Sequence, residues 1–161
     1  MVQKRQLREF RPEVRYRNLE ITFDSIQAAI SEKAEEFGIP VAFYPDDVGK
    51  DSFLNFNIAD EPCLVMYHPD HKDDYFKFCI RISRSGAYTF VSVNDFGQSP
   101  QMKKAGVVDA CRASRKGRGV SYKVGSIIKE GLTSLSLDRG SAEAEQRYYQ
   151  CIIDILDELI A

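Results

Sequence analysis

A run of alternating side chains from Tyr75 to Phe96 constrains this chain more than any other stretch. Phe76, Phe78, Ile80 and Ile82 alternate with Lys77, Cys79, Arg81 and Ser83. After a short break, Thr89, Val91 and Val93 alternate with Tyr88, Phe90, Ser92 and Asn94. Period two is the mark of a strand whose two faces meet different surroundings. The break, Arg84-Ser85-Gly86-Ala87, has turn chemistry, so the stretch predicts a β-hairpin over residues 75–96. A two-residue Ser85-Gly86 turn pairs Arg84 with Ala87, Ile82 with Thr89, Ile80 with Val91 and Phe78 with Val93. In that register both apolar sets share one face, which becomes the core face.

The opposite face is less ordinary. The same register sets Arg81 against Phe90, Ser83 against Tyr88 and Cys79 against Ser92. Two large aromatics beside a guanidinium predict a cation–π contact of about 0.5–1 kcal/mol, or cover by another element or another molecule. Arg81, Tyr88 and Phe90 are the candidate partner-binding residues.

Helices flank the predicted sheet. Asp24–Phe37 reads as a helix with Asp24 as cap, Gln27 three residues on, and Ile26, Ile30, Ala34 and Phe37 as its buried stripe. Gly38 and Pro40 stop it. Ser99 and Pro100 start a second helix, weakened by Gly106. Ser141–Ile160 reads as a third, with Ser141 as cap, Glu143 and Glu145 in its first turn, and Tyr148, Ile152, Ile155, Leu156 and Leu159 as a strong apolar stripe. Between the first helix and the hairpin lie three strand candidates, Ile39–Tyr44, Ser52–Ile58 and Pro62–Tyr67. The acidic run from Pro45 to Asp51 reads as a polar loop. Residues 120–137 mix both periodicities, with Gly125 and Gly131 opposing each.

These elements predict an α+β fold: an antiparallel sheet of about five strands around the hairpin, with N-terminal and C-terminal helices packed on one face. The element order resembles the small α+β fold of type III secretion chaperones. That resemblance is one of order, without a shared motif, and implies a chaperone-like, protein-binding role.

Length and composition fit this reading. A chain of 161 residues makes one domain and buries about 68–70% of its unfolded surface. Residues 1–20, with Lys4, Arg5, Arg8, Arg11, Arg15 and Arg17, read as a basic N-terminal arm, in which Leu7, Phe10 and Val14 have the spacing of a weak amphipathic helix that Pro12 interrupts. Residues 21–161 then form a single α+β domain. Hydrophobic residues make up 43% and charged ones 29%, values of a globular chain. No apolar run approaches the roughly 20 residues of a membrane span, and the start lacks the apolar middle of a signal peptide. Cys63, Cys79, Cys111 and Cys151 show no C-x-x-C spacing. Reduced thiols in a cytoplasmic protein that meets no membrane are the expectation.

The search for chemistry is mostly negative. His68 and His71, with Asp70, Asp73 and Asp74, place metal-ligand types on one loop, and a small metal-dependent hydrolase there is one alternative. Pro69 breaks the helical geometry that would display them together, so neither a metal nor any other cofactor is expected. Cys63 near His68 lacks an orienting third group or an oxyanion hole. Gly117-Arg118-Gly119 has neither phosphate-loop spacing. Lys103, Lys104, Arg112, Arg115, Lys116, Arg118 and Lys123 crowd residues 103–123 into a basic surface, the basis of a nucleic-acid-binding alternative. The net charge of −2 hides that asymmetry. The leading expectation is a non-catalytic binding or adaptor module, meeting a protein partner or a second copy of itself through Arg81, Tyr88 and Phe90.

Overall fold

The hairpin forms with a shifted register. In the computed structural model, which describes residues 1–49, 61–105 and 139–160, Ile80 lies opposite Val93, Ile82 opposite Val91, and Phe78 opposite Asp95. The turn is Gly86-Ala87, closed by the Ser85–Tyr88 pair, and Gly86 has φ 58°. A two-residue turn of this hand needs positive φ at its first central position, which glycine adopts freely. Gly86 therefore takes the first position rather than the second. The pairing moves by two residues, so every side chain keeps the face expected of it.

The elements in chain order are β1 (Val2–Gln3), a 3-10 turn (Lys4–Gln6), β2 (Arg8–Tyr16), α1 (Phe23–Phe37), β3 (Ala42–Gly49), β4 (Glu61–Tyr67), β5 (Lys77–Ser85), β6 (Tyr88–Phe96), α2 (Pro100–Ala105) and α3 (Arg139–Leu159). The fold is α+β, with a six-stranded sheet in the order β1-β3-β4-β5-β6-β2. Every pairing is antiparallel except β1 with β3. The predicted strand Ser52–Ile58 and the ambiguous stretch 120–137 lie outside the described residues.

Three local readings are corrected. The segment Arg8–Tyr16 is a strand along β6, not an amphipathic helix. Its register shifts between Glu9 and Arg11 and again between Arg11 and Val14. Such irregularities let apolar residues spaced three or four apart face one side of a strand. Pro12 is tolerated because an edge strand has an unpaired side. Two strands thus precede α1, a departure from the chaperone-like order. The acidic run after Tyr44 is not a loop either: β3 continues through Pro45, Asp46 and Asp47, paired with Leu64, Cys63 and Pro62. The described part of its other edge is paired only at Val48 and Gly49, and proline and charge are what an open edge accommodates. Finally, α1 is capped by Thr22, not Asp24. Thr22 Oγ1 accepts from Ser25 N at 3.1 Å, and Ser25 Oγ accepts from Thr22 N at 2.9 Å. Asp24 instead sits in the positive first turn. Gly38, at φ 69°, ends the helix as expected.

One core holds the layers together. Phe78, Ile80, Val91 and Val93 of the hairpin bury against Ile30 and Ala34 of α1, Met102 of α2 and Tyr149, Ile152, Ile155 and Leu156 of α3. All three described helices contribute to this face. α3 begins at Arg139, so Ser141 lies inside the helix rather than capping it. Arg8 fastens β2 at the base of the hairpin. Its Nε lies 3.6 Å from the fully buried Asp95 carboxylate, and its NH2 donates to the Gly97 carbonyl at 3.0 Å. None of the described helices is long and apolar enough to cross a membrane.

Candidate functional site

The outward side of the hairpin carries the expected residues in a different arrangement. The shifted register places Arg81 opposite Ser92 and Ser83 opposite Phe90. Arg81 donates to Asn94 Oδ1 at 2.9 Å and pairs with Glu61 at 3.6 Å, so its guanidinium turns away from the aromatics. The cation–π contact exists, but Arg15 of β2 supplies it, 5.1 Å above the Tyr88 ring. Arg15 lies beside Phe90 across the β2–β6 pairing. Tyr88 and Phe90 are half-exposed. The face thus presents Arg15, Tyr88 and Phe90 at its β2 side and Arg81, Asn94 and Glu61 towards β4. Sequence reasoning missed Arg15 because the strand character of residues 8–16 was not legible.

A second apolar cluster occupies the same side of the sheet nearer β3 and β4: Val2, Val48, Cys63, Val65, Cys79 and Phe96, with Leu7 and Tyr44 against it. No residue of the three described helices belongs to it. Cys63 and Cys79 are free thiols joined by a hydrogen bond. That bond, with burial, raises Cys79 far above an ordinary thiol, and it lowers Cys63. Lys72 stands 5.7 Å from the centres of both the Tyr44 and Tyr67 rings, extending the alternation of cation and aromatic beyond the hairpin.

The histidine loop is organised by aromatic packing. His71 stacks on Tyr75 with centroids 4.0 Å apart, and its Nδ1 lies 3.1 Å from an Asp74 carboxylate oxygen. His68 packs on Tyr148 at 4.7 Å, and its Nδ1 accepts from Asp70 N at 3.1 Å. Burial, with His71 beside it, lowers the His68 pKa, which keeps the ring neutral. Among the described residues no three His, Cys, Asp or Glu side chains come together as metal ligands would.

Sequence reasoning placed Glu145 in the first turn of the last helix, beside Glu143, and gave it no internal partner. Glu145 of α3 is fully buried. Its Oε1 accepts from Phe76 N at 3.1 Å, and its Oε2 accepts from Gln101 Nε2 at 2.8 Å and from the Ser99 hydroxyl. Gln101 Nε2 also reaches the Asp74 carbonyl at 2.8 Å, and Ser99 Oγ accepts from Met102 N at 3.3 Å. One carboxyl therefore ties α3 to the start of β5 and to α2. Burial pushes its pKa up to about 7, against the three donors that pull it down. The signal was present: Glu145 falls on the same helical stripe as Tyr148, Tyr149 and Ile152, where a charge needs internal partners.

Of the basic surface, Arg112, Arg115, Lys116, Arg118 and Lys123 lie outside the described residues. Lys104 belongs to α2, but its side chain lies outside the description. No family model, curated protein or solved structure matches the chain. The resemblance in element order to secretion chaperones therefore carries no argument, and a functional reading rests on this chain's own surfaces.

Proposed function

We propose that this chain is a non-catalytic protein-binding module that meets its partner, or a second copy of itself, through the outward face of β5, β6 and β2. One observation carries the reading: the described helices all pack on one side of the sheet, and the other side keeps Tyr88 and Phe90 half-exposed beside Arg15 and Arg81. Aromatic side chains and arginine are the types that concentrate binding energy at interfaces. Tyrosine and phenylalanine supply broad contact area with few rotatable bonds. Arginine adds planar donors, and the Arg15 guanidinium stands over the Tyr88 ring on this face.

The test uses the full chain. Light scattering after size-exclusion chromatography reads self-association, and purification from native cells reads a stable protein partner. The double substitution Tyr88→Ala, Phe90→Ala abolishes the association while leaving the unfolding transition cooperative, because both residues lie outside the main core. A monomer that carries no partner, or an association indifferent to the double substitution, overturns the reading.

A further inference from the structure

A face that meets its own copy across a twofold axis must be complementary to itself, because each residue contacts the copy of another. The outward face of β5, β6 and β2 has this property about the line of β6. Tyr88 and Phe90 lie on β6 itself, half-exposed, and Ser92 follows them on the same face. On the β2 side of Ser92 stands Glu13, whose Oε2 accepts from the Ser92 hydroxyl at 2.7 Å. On the β5 side stands Arg81, directly opposite Ser92 in the pairing. Neighbouring strands lie about 4.8 Å apart. An acid and a base therefore flank β6 at one level, one strand to either side.

The next level along β6 continues the pattern. At Phe90 the β2 side carries Arg15 and the β5 side carries Ser83. Glu13 and Arg15 are both exposed. Beyond β5, Glu61 of β4 lies 3.6 Å from Arg81. One flank of β6 thus holds an acid and then a base, and the other holds a base with an acid beside it. The far end of the same face is closed, because Val2 and Leu7 pack there with Cys79 and Phe96. The part of β6 left for contact is the stretch from Tyr88 to Ser92.

We propose that the occupant of this face is a second copy of the chain, in an isologous dimer whose twofold axis runs along β6. The inference rests on the protein-binding reading of the face and names its partner. A half-turn about β6 exchanges the two flanks and keeps every residue at its level. Tyr88 and Phe90 then pack on their own copies at the centre of the contact, where aromatic anchors concentrate binding energy. Each Glu13 meets Arg81 of the second copy, and each Arg15 reaches past Ser83 of the second copy towards its Glu61. No two like charges are brought together at these levels. A strongly acidic or strongly basic partner would set part of this mixed pattern against its own sign. A patch three strands wide is small beside the roughly 800 Å² per partner of a standard interface, so the dimer exchanges readily with the monomer.

Sedimentation velocity of the full chain over a range of concentrations reads the dimer. Glu13→Arg and Arg81→Glu, each alone, weaken it about tenfold or more, because one reversal acts at two symmetric contacts. An equimolar mixture of the two variants recovers the dimer, since every contact again joins opposite charges. Where Arg81→Glu fails to fold, Arg15→Glu mixed with Glu61→Arg gives the same readout at the outer pair. A dimer indifferent to Glu13→Arg, or two folded variants that stay monomeric when mixed, overturns the twofold arrangement. A wild-type chain that stays monomeric and holds a different protein through Tyr88 and Phe90 overturns the second copy as occupant and leaves the binding face standing.

Discussion

Glu145 is a carboxyl held among three donors and shut away from water. Its pKa rises from the ordinary 4.5 to about 7 on folding. A raised carboxyl pKa means that the folded state holds the proton more tightly than the unfolded state. The associated stability is complete below about pH 4.5 and is lost as the pH rises through about 7. A shift of this size corresponds to about 3 kcal/mol. Glu145→Gln keeps the shape and removes the titration. Between about pH 4.5 and pH 8 the stability difference should move by up to about 3 kcal/mol in favour of the variant. Urea unfolding of both proteins at the two pH values measures it, and parallel pH profiles would refute the assignment. At this scale sequence reasoning named the right chemistry at Tyr88 but the wrong cation. Arg81 and Arg15 are indistinguishable until strand pairing decides which one lies over the ring.

At the level of elements, the hairpin shows how a local rule and a local ambiguity coexist. Period two sets the two faces of β5 and β6, and both survive a shift of register by two. The turn sets the register, and Gly86 is its hinge. A Cβ at Gly86 would meet nothing within 4 Å, so a substitution there acts through backbone conformation alone. Gly86→Ala should destabilise the protein by about 1–2 kcal/mol, the cost of positive φ for an L side chain. Thermal or denaturant unfolding checks this, and an unchanged midpoint would argue for a different turn. The first and last helices were legible to within a few residues because propensity and stripe agree, although the cap expected for each was wrong. β2 and the acidic half of β3 were not. A strand with proline, charge and shifted register loses its periodicity, and only its pairing partner reveals it.

Across the whole molecule, the core joins one sheet face to three helices, and its stability should be concentrated there. Ile155 is fully buried, whereas Phe37 is 41% exposed. Ile155→Ala should cost about 2–5 kcal/mol, and Phe37→Ala about 0.5 kcal/mol or less. Comparable losses in equilibrium unfolding would contradict the layer arrangement. The sequence by itself determined the α+β class, the helices that bracket the sheet, the two faces of the hairpin and the side that becomes core. All of these follow from spacing along the chain, because a side chain's direction repeats with its own element. Only the tertiary structure decided the rest. It brought Arg8–Tyr16 into the sheet, gave Tyr88 its cation from Arg15, and buried Glu145 among donors from Phe76, Ser99 and Gln101. Each of these depends on residues far apart in the chain meeting in space, and no local period encodes which partner a strand edge, a ring or a buried carboxyl will find.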